Sequence, residues 1–240
     1  MNYMSPDNKW IGKPTIRPDG IEKVTGSAQY AADYTMPGMV WGKVLRSPHA
    51  HALIKKIDTS KAEALQGVLA VMTGADLPTL PLDVPLPTGP NDIRWISRGC
   101  MAQEKILYVG HPIAAVAATS QEIAIAALDL IEVDYEVLPH VIDVDEAVAP
   151  GAPILHDWIK TEGIDGPTNI SNIMTVKTGD VEKGFGEADL VVERDFKSAA
   201  VHQGYLEPQS CVVSYKPDSQ STIWSSSQGQ FMVRGLTATI

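Results

Sequence analysis

Residues Lys105 to Pro139 read KILYVGHPIAAVAATSQEIAIAALDLIEVDYEVLP, and the order of patterns inside this stretch decides the fold. KILYVGHPIAAVAATS is a near-continuous apolar run of the kind that forms buried strands. Thr119 and Glu122 then stand three positions apart. In that capping-box spacing a hydroxyl and a carboxylate satisfy the free N–H groups at the start of a helix. QEIAIAALDLI continues the helix, and EVDYEVLP alternates apolar and polar residues as a half-buried strand does. The stretch is a strand–helix–strand unit.

A second unit of the same kind lies upstream. MVWGKVLRS is rich in β-branched and aromatic residues and reads as a strand. In DTSKAEALQGVLAVMTGADLP, Ser60 and Glu63 repeat the capping-box spacing, Gly67 closes a short helix, and VLAVMT follows as a strand. Between the units, Leu77 to Gly89 is proline-rich without helical period, so an extended surface loop is expected there. Together these elements predict an α/β or α+β domain of about 130 residues. A Gly- and Pro-rich linker covers 151–164, and residues 1–17 form an N-terminal arm. ADLVVERDFKSAAVHQ, PQSCVVSYKP and STIWSSS then read as successive strands, with PDSQ as the turn between the last two. Ser227 and Gln230 give a third capping-box spacing, and the helix they introduce is expected to begin near Gln228. The sequence ends within that helix, so Phe231, Met232, Leu236 and Ile240 are expected to be uncovered, and the chain is expected to be incomplete as a domain.

Composition narrows the classes of function. The formal charge is −10, with the 19 Lys and Arg residues scattered, which argues against a nucleic-acid partner because phosphate contacts need clustered cations. No apolar run reaches the roughly 20 residues of a membrane span. No basic segment followed by an apolar one opens the chain, so no secretory signal and a cytoplasmic location are expected. Cys100 and Cys211 are isolated thiols without metal-ligand spacing, so no zinc ribbon or iron–sulfur cluster is expected on this chain.

Few residues carry chemistry on their own. His49 and His51 share a strand face but have no third ligand nearby, and a polar strand end explains them better than a metal. Asp143, Asp145 and Glu146 read as a solvated acidic turn, and His111 and His140 as turn residues beside prolines. VHQGYLEP places His202 and Glu207 between two strands, where the glutamate suits either a general base or a loop-fixing pair. At SSSQGQF, a helix starting near Gln228 would aim free N–H groups at anionic oxygens, and Gly229 would let a bulky group approach the backbone. A cap facing water accounts for the same residues.

The chain resembles the large, molybdopterin-binding subunit of the molybdenum hydroxylases, the xanthine dehydrogenase and aldehyde oxidase family. The resemblance runs from about Pro18 to the last residue. It rests on RPDGIEKVTGSAQYAADY, VLRSPHAHALIKKID, GVLAVMTGADLP, VGHPIAAVAATSQEIAIAAL, IEVDYEVLP, VHQGYLEP and SSSQGQF, in that order. It implies an α+β fold: an α/β hammerhead domain over 18–150, and the start of a mixed α/β molybdopterin-binding domain over 165–240. It implies a molybdopterin-type molybdenum cofactor, in some members the cytosine dinucleotide form. The reaction implied is hydroxylation of an aldehyde, an N-heterocycle or a similar small molecule, with water as oxygen source. Electrons would leave to a 2Fe-2S subunit and an FAD subunit. Gln228 matches the family glutamine close to the molybdenum, with Gly229 beside it, while Glu207, His202 and Arg234 are supporting candidates. The glycine-rich segment and the general-base glutamate of the family lie beyond these residues, so no catalytic residue and no protein–metal bond is expected here, and a C-terminal molybdopterin-binding part is the expected partner. A non-catalytic hammerhead docking module is the competing expectation.

Overall fold

In a computed structural model, residues 10–81, 83–84, 92–205 and 207–240 are described. In chain order the elements are α1 (Gly20–Thr25), β1 (Trp41–Arg46), β2 (Ala52–Asp58), α2 (Ser60–Glu63), β3 (Val68–Thr73), α3 (Ile93–Cys100), β4 (Lys105–Ile106), β5 (Pro112–Ala118) and α4 (Gln121–Leu128). They continue with β6 (Glu132–Val137), α5 (Val144–Ala147), α6 (Val181–Glu187), β7 (Cys211–Ser214), β8 (Thr222–Ser225) and α7 (Gln230–Thr237). Contacts divide the chain into two compact units, one of residues 38–199 with 229–240, the other of residues 1–37 with 200–228. None of the helices described is long and apolar enough to cross a membrane.

In the larger unit the first six strands alternate between two antiparallel sheets. The odd strands form one sheet in the order β1-β5-β3, and the even strands form the other in the order β4-β2-β6. The unit read from MVWGKVLRS to VLAVMT therefore begins and ends in one sheet, as β1 and β3, with the unanticipated β2 of the other sheet inserted between them. β5 and β6, on either side of α4, belong to different sheets, and successive connections cross from one to the other. β5 is central because its alternate residues are buried on both faces, with Ile113, Ala114, Val116 and Ala118 at most 1% exposed. Its alanines leave room for α4, which packs on β1 and β5 through the fully buried Ala124 and Ala127. One apolar cluster gathers Ala62, Ala114, Val116, Ala127 and Ile131, and a second gathers Ala52, Ala102, Ile106 and Ile113. Ile57 and Val133 pack against both and join the sheets into one core.

Two glycines fit places that no other residue fits. Gly67 has φ +95°, and a Cβ there would stand 2.7 Å from Ile123 and 2.9 Å from the Thr119 hydroxyl. At Gly74 a Cβ would lie 2.2 Å from the Ala102 carbonyl oxygen.

Helix starts fall one or two residues away from the expected capping boxes. Ser60 gives its hydroxyl to Asp58, so Thr59 becomes the N-cap of α2 and donates to Glu63. Thr119 is held at the end of β5 by its N–H bond to the Gly67 carbonyl, so Ser120 caps α4 and accepts from the Ile123 N–H. At α7 the backbone of Ser226 still bonds Ser210, and the helix begins only at Gln230 behind Gly229, without a side-chain cap. Four helices were not anticipated: α1, α5 (over the residues read as an acidic turn), α3 and α6. α3 is capped by Asp92, whose carboxylate accepts from the Arg94 backbone and pairs with the Arg94 guanidinium at 2.6 Å, both side chains buried. α6 is capped by Asp180. The proline-rich loop lies partly outside the described residues; its described part has no regular structure apart from the start of a turn.

The 151–164 segment is tied down rather than loose. Ile159 and Thr161 are buried, and the Asn169 side chain donates to the Ala147 and Pro153 carbonyls and accepts from the Leu155 N–H. The strand expected within ADLVVERDFKSAAVHQ does not form: this backbone has no ladder partner among the described residues, and residues 171–205 are all exposed.

In the smaller unit β7 and β8 form the expected hairpin, with Cys211 opposite Ser225 and Ser214 opposite Thr222. A single 3-10 turn at Ala31–Asp33 packs against β7, and Tyr34 stacks on Trp224 with ring centres 5.5 Å apart.

Candidate functional site

The hairpin positions the candidate site. Because β7 and β8 pair in register, the residues before β7 and after β8 emerge side by side. Glu207 precedes the hairpin and Ser226 follows it; the Ser226 hydroxyl donates to the Glu207 carboxylate at 3.1 Å and reaches the Pro208 carbonyl at 3.2 Å. A backbone bond from Ser226 N–H to the Ser210 carbonyl closes the same end. YLEP and SSSQ, about twenty positions apart in sequence, are thus fastened together.

They enclose a cleft of about 330 Å³ lined by Tyr205, Glu207, Gln209, Ser226, Ser227 and Gln228. Gln228 and Glu207 therefore line one cleft, as side chains of the same unit. Tyr205, Gln209 and Ser226 are cleft residues that the sequence did not single out, although they lie in the quoted YLEP, PQSCVVSYKP and SSSQ strings. The expected helix-start position of Gln228 is corrected: it stands two residues before the first helical residue, so a donor role rests on its side-chain amide and not on the end of α7.

The other candidates lie elsewhere. His202 is exposed, accepts from the Gly204 N–H at 3.1 Å and meets the Tyr205 ring edge-on, without lining the cleft. Gly229 is the N-cap of α7. Arg234 lies on α7, exposed, its guanidinium over the Phe231 ring at 5.7 Å. On the same helix Phe231 and Met232 are exposed, as is Ile240 beyond it, whereas Leu236 is half-buried.

The histidines and acids of the larger unit are held by structural contacts. His49 packs edge-on against Tyr135, and His51 donates from Nδ1 to the Pro139 carbonyl at 2.7 Å. His111 is fully buried, accepting at Nδ1 from the Leu107 N–H and donating from Nε2 to the Arg98 carbonyl. Burial lowers its pKa by disfavouring the charged ring, partly offset by the bond to the Arg98 carbonyl. Asp143 caps α5, and with Asp145 it holds Lys197; these bonds keep the Asp143 carboxyl below its usual range. His140 is exposed, and so are the free thiols Cys100 and Cys211.

The cleft offers two amides, three hydroxyls and one carboxylate, with neither thiol nor imidazole. That set suits hydrogen bonding to oxygen atoms of a group whose metal is held by its own ligands, and does not suit direct coordination of a soft metal. Among the described residues no Lys or Arg lines it, so a phosphate would find no countercharge from them.

Comparison with known proteins identifies relatives of the chain as a whole. Residues 25–139 match the aldehyde oxidase and xanthine dehydrogenase a/b hammerhead domain, and residues 164–240 match the molybdopterin cofactor-binding domain. The carbon monoxide dehydrogenase large chain of Afipia carboxidovorans is 38% identical over 237 residues, spanning 96% of this chain and 29% of its own length. The nicotinate dehydrogenase large molybdopterin subunit of Eubacterium barkeri is 32% identical over 237 residues, spanning 98% of this chain and 51% of its own length. A crystal structure of the Cu,Mo-CO dehydrogenase superposes with a TM-score of 0.73 at 36% identity, over 95% of this chain and 29% of that one. The chain thus spans about a third to a half of the relatives named. It belongs to the molybdenum hydroxylases, the aldehyde oxidase and xanthine dehydrogenase family, as part of a large molybdopterin-binding subunit with an α+β hammerhead and molybdopterin-domain sequence.

Proposed function

We propose that this chain builds the hammerhead, over about 18–150, and one wall of the cofactor site, within 165–240, of an oxidoreductase. The enzyme hydroxylates a carbon of an aldehyde, N-heterocycle or similar small molecule and passes electrons to 2Fe-2S and FAD partner subunits. When bound, the molybdenum cofactor supplies two-electron redox chemistry with water as the oxygen source. The chain's own residues position and polarise. The Gln228 side-chain amide would hold the cofactor by hydrogen bonding to its polar atoms, and Gly229, next in sequence, would place no side chain in the way. Glu207 holds Ser226 and so fixes the turn that carries Gln228. His202 and Arg234, outside the cleft lining, support the site only through their own segments, the YLEP loop and α7. A cleft of about 330 Å³ is at the small end of the roughly 300–1,000 Å³ range of ligand sites, room for one end of a cofactor, so a complementary molybdopterin-binding partner encloses the rest. The observation that carries the proposal is the joint lining of this cleft by Gln228 and the Glu207–Ser226 pair.

The test is co-expression with a polypeptide carrying the remaining molybdopterin-binding sequence of the family, followed by assay of molybdenum and pterin. Metal and pterin in the complex support the proposal, and a complex that assembles without either sinks it. In the loaded complex, Gln228→Ala lowers turnover about 10–100-fold at unchanged molybdenum content. Unchanged turnover removes Gln228 from the site.

A second reading, a docking module without chemistry of its own, is favoured by one observation: residues 171–205 are all exposed while the hammerhead is packed. It predicts stable partner binding with no dependence on Gln228.

A further inference from the structure

The larger unit contains a cavity of about 450 Å³ walled by residues from the start of β2, from α3, from the β4 region and from the 151–164 segment. It is composed unlike the Gln228 cleft. Leu53, Leu107, Leu138 and Ile154 supply apolar surface, and Trp158 supplies an aromatic one. Four ionised side chains line it, and they form two pairs, Arg98 with Glu104 at 3.3 Å and Lys105 with Asp157 at 3.4 Å. The lining thus carries no unbalanced charge, which selects against ions.

Two polar groups in the wall are unsatisfied. His51 is 5% exposed and its Nδ1 is committed as a donor to the Pro139 carbonyl, so in the neutral ring Nε2 is an acceptor. That Nε2 is buried with no hydrogen-bond partner among the described residues, and so is the side-chain amide nitrogen of Gln103, which is a donor. Leaving a buried donor and a buried acceptor unmet is costly, and a ligand that meets both recovers that cost on binding.

We propose that this cavity is a binding site for a small, neutral aromatic molecule bearing one hydrogen-bond donor and one acceptor. The donor meets His51 Nε2, the acceptor meets the Gln103 amide, and the ring lies among the leucines and Trp158. His51 Nε2 and the Gln103 amide nitrogen both lie just behind the wall, so a small tilt of the His51 ring and a turn of the Gln103 amide bring them to the ligand. The site is separate from the cofactor cleft and stands whether or not that cleft binds molybdenum.

Benzamide is the probe, with benzoate as its charged counterpart and tryptophan fluorescence and calorimetric titration of the full chain as readouts. Saturable benzamide binding is expected with a Kd of about 1 mM or tighter, and benzoate about tenfold weaker. Gln103→Leu and His51→Phe each weaken benzamide binding about tenfold. Because His51→Phe also removes the bond to Pro139 and risks the fold, Leu107→Trp, which fills the cavity and leaves both polar groups in place, is the second test and abolishes binding. No saturation up to about 10 mM, with water alone occupying the space, overturns the proposal. Binding that survives Gln103→Leu and Leu107→Trp overturns it equally.

Discussion

β5 and residues 190–200 are both rich in apolar side chains, yet they end in opposite surroundings. In β5, Ile113, Ala114 and Val116 are at most 1% exposed, flanked by β1 and β3 and covered by α4. In the later stretch Leu190, Val191 and Phe196 are 79%, 54% and 93% exposed. The apolar residues resemble each other; the neighbours do not. Apolar sequence marks what a segment would bury, and only a facing strand or helix turns that into a core.

The largest effect that can break this contrast lies at the edge of the packed region. Arg94→Ala leaves the Asp92 carboxylate buried without its partner and destabilises the chain by about 3–5 kcal/mol in urea unfolding. A loss below about 1 kcal/mol would mean that water reaches Asp92 and that the packed region is looser than described. Ile113→Ala follows at about 2–5 kcal/mol, because the cavity it opens in β5 has no room to collapse.

A pH series probes the same core. His111 has its pKa lowered by burial, so below the ordinary value of 6.5 the unfolded ring takes up a proton that the folded ring resists. Its stabilising contribution is therefore complete above that pH and is lost as the pH falls. His156 is shifted in the same direction, mainly by its burial. Urea midpoints measured at pH 7.5 and 5.5 should fall on acidification, and His111→Gln should flatten part of that slope. An equal slope in both proteins would place His111 in water.

The smallest effects belong to the exposed region and sharpen the comparison. Lys197→Ala removes two fully exposed surface ion pairs and leaves the urea midpoint unchanged. Phe196→Ser is similarly silent in the chain alone, within about 0.5 kcal/mol. With a complementary molybdopterin-binding partner present, the same substitution should weaken association, measured by titration, if that stretch is what the partner covers.

Local patterns were legible wherever a segment's own periodicity decided its structure. VLAVMT is β3 residue for residue, EVDYEV is β6, and the PDSQ turn joins β7 to β8. What the sequence hid was set by distant partners. The alternation of strands between two sheets depends on pairings such as Val44 with Ala115, which no window reveals. The caps moved to Thr59 and Ser120 because Asp58 and Gly67 had already engaged their neighbours. α3 follows a proline-rich loop, and its start depends on the Asp92–Arg94 pair. At the cleft, Gln228 and Glu207 could be named from their strings. Their sharing one wall follows from the hairpin register, and the helix start was misplaced because the Ser226 backbone stays bound to the hairpin.

The smaller unit, in which Tyr34 stacks on Trp224, also fixes an order of events during synthesis. Its first half leaves the ribosome early, and the whole stretch from Gly38 to Ala199 must be made before the second half exists. At about 5–20 residues per second that is a delay of roughly 8–30 seconds. The hammerhead, whose strands are complete by Val137, can fold within that interval while the N-terminal segment waits for its hairpin. The cleft that carries Gln228 therefore forms only after the strands of the hammerhead are complete.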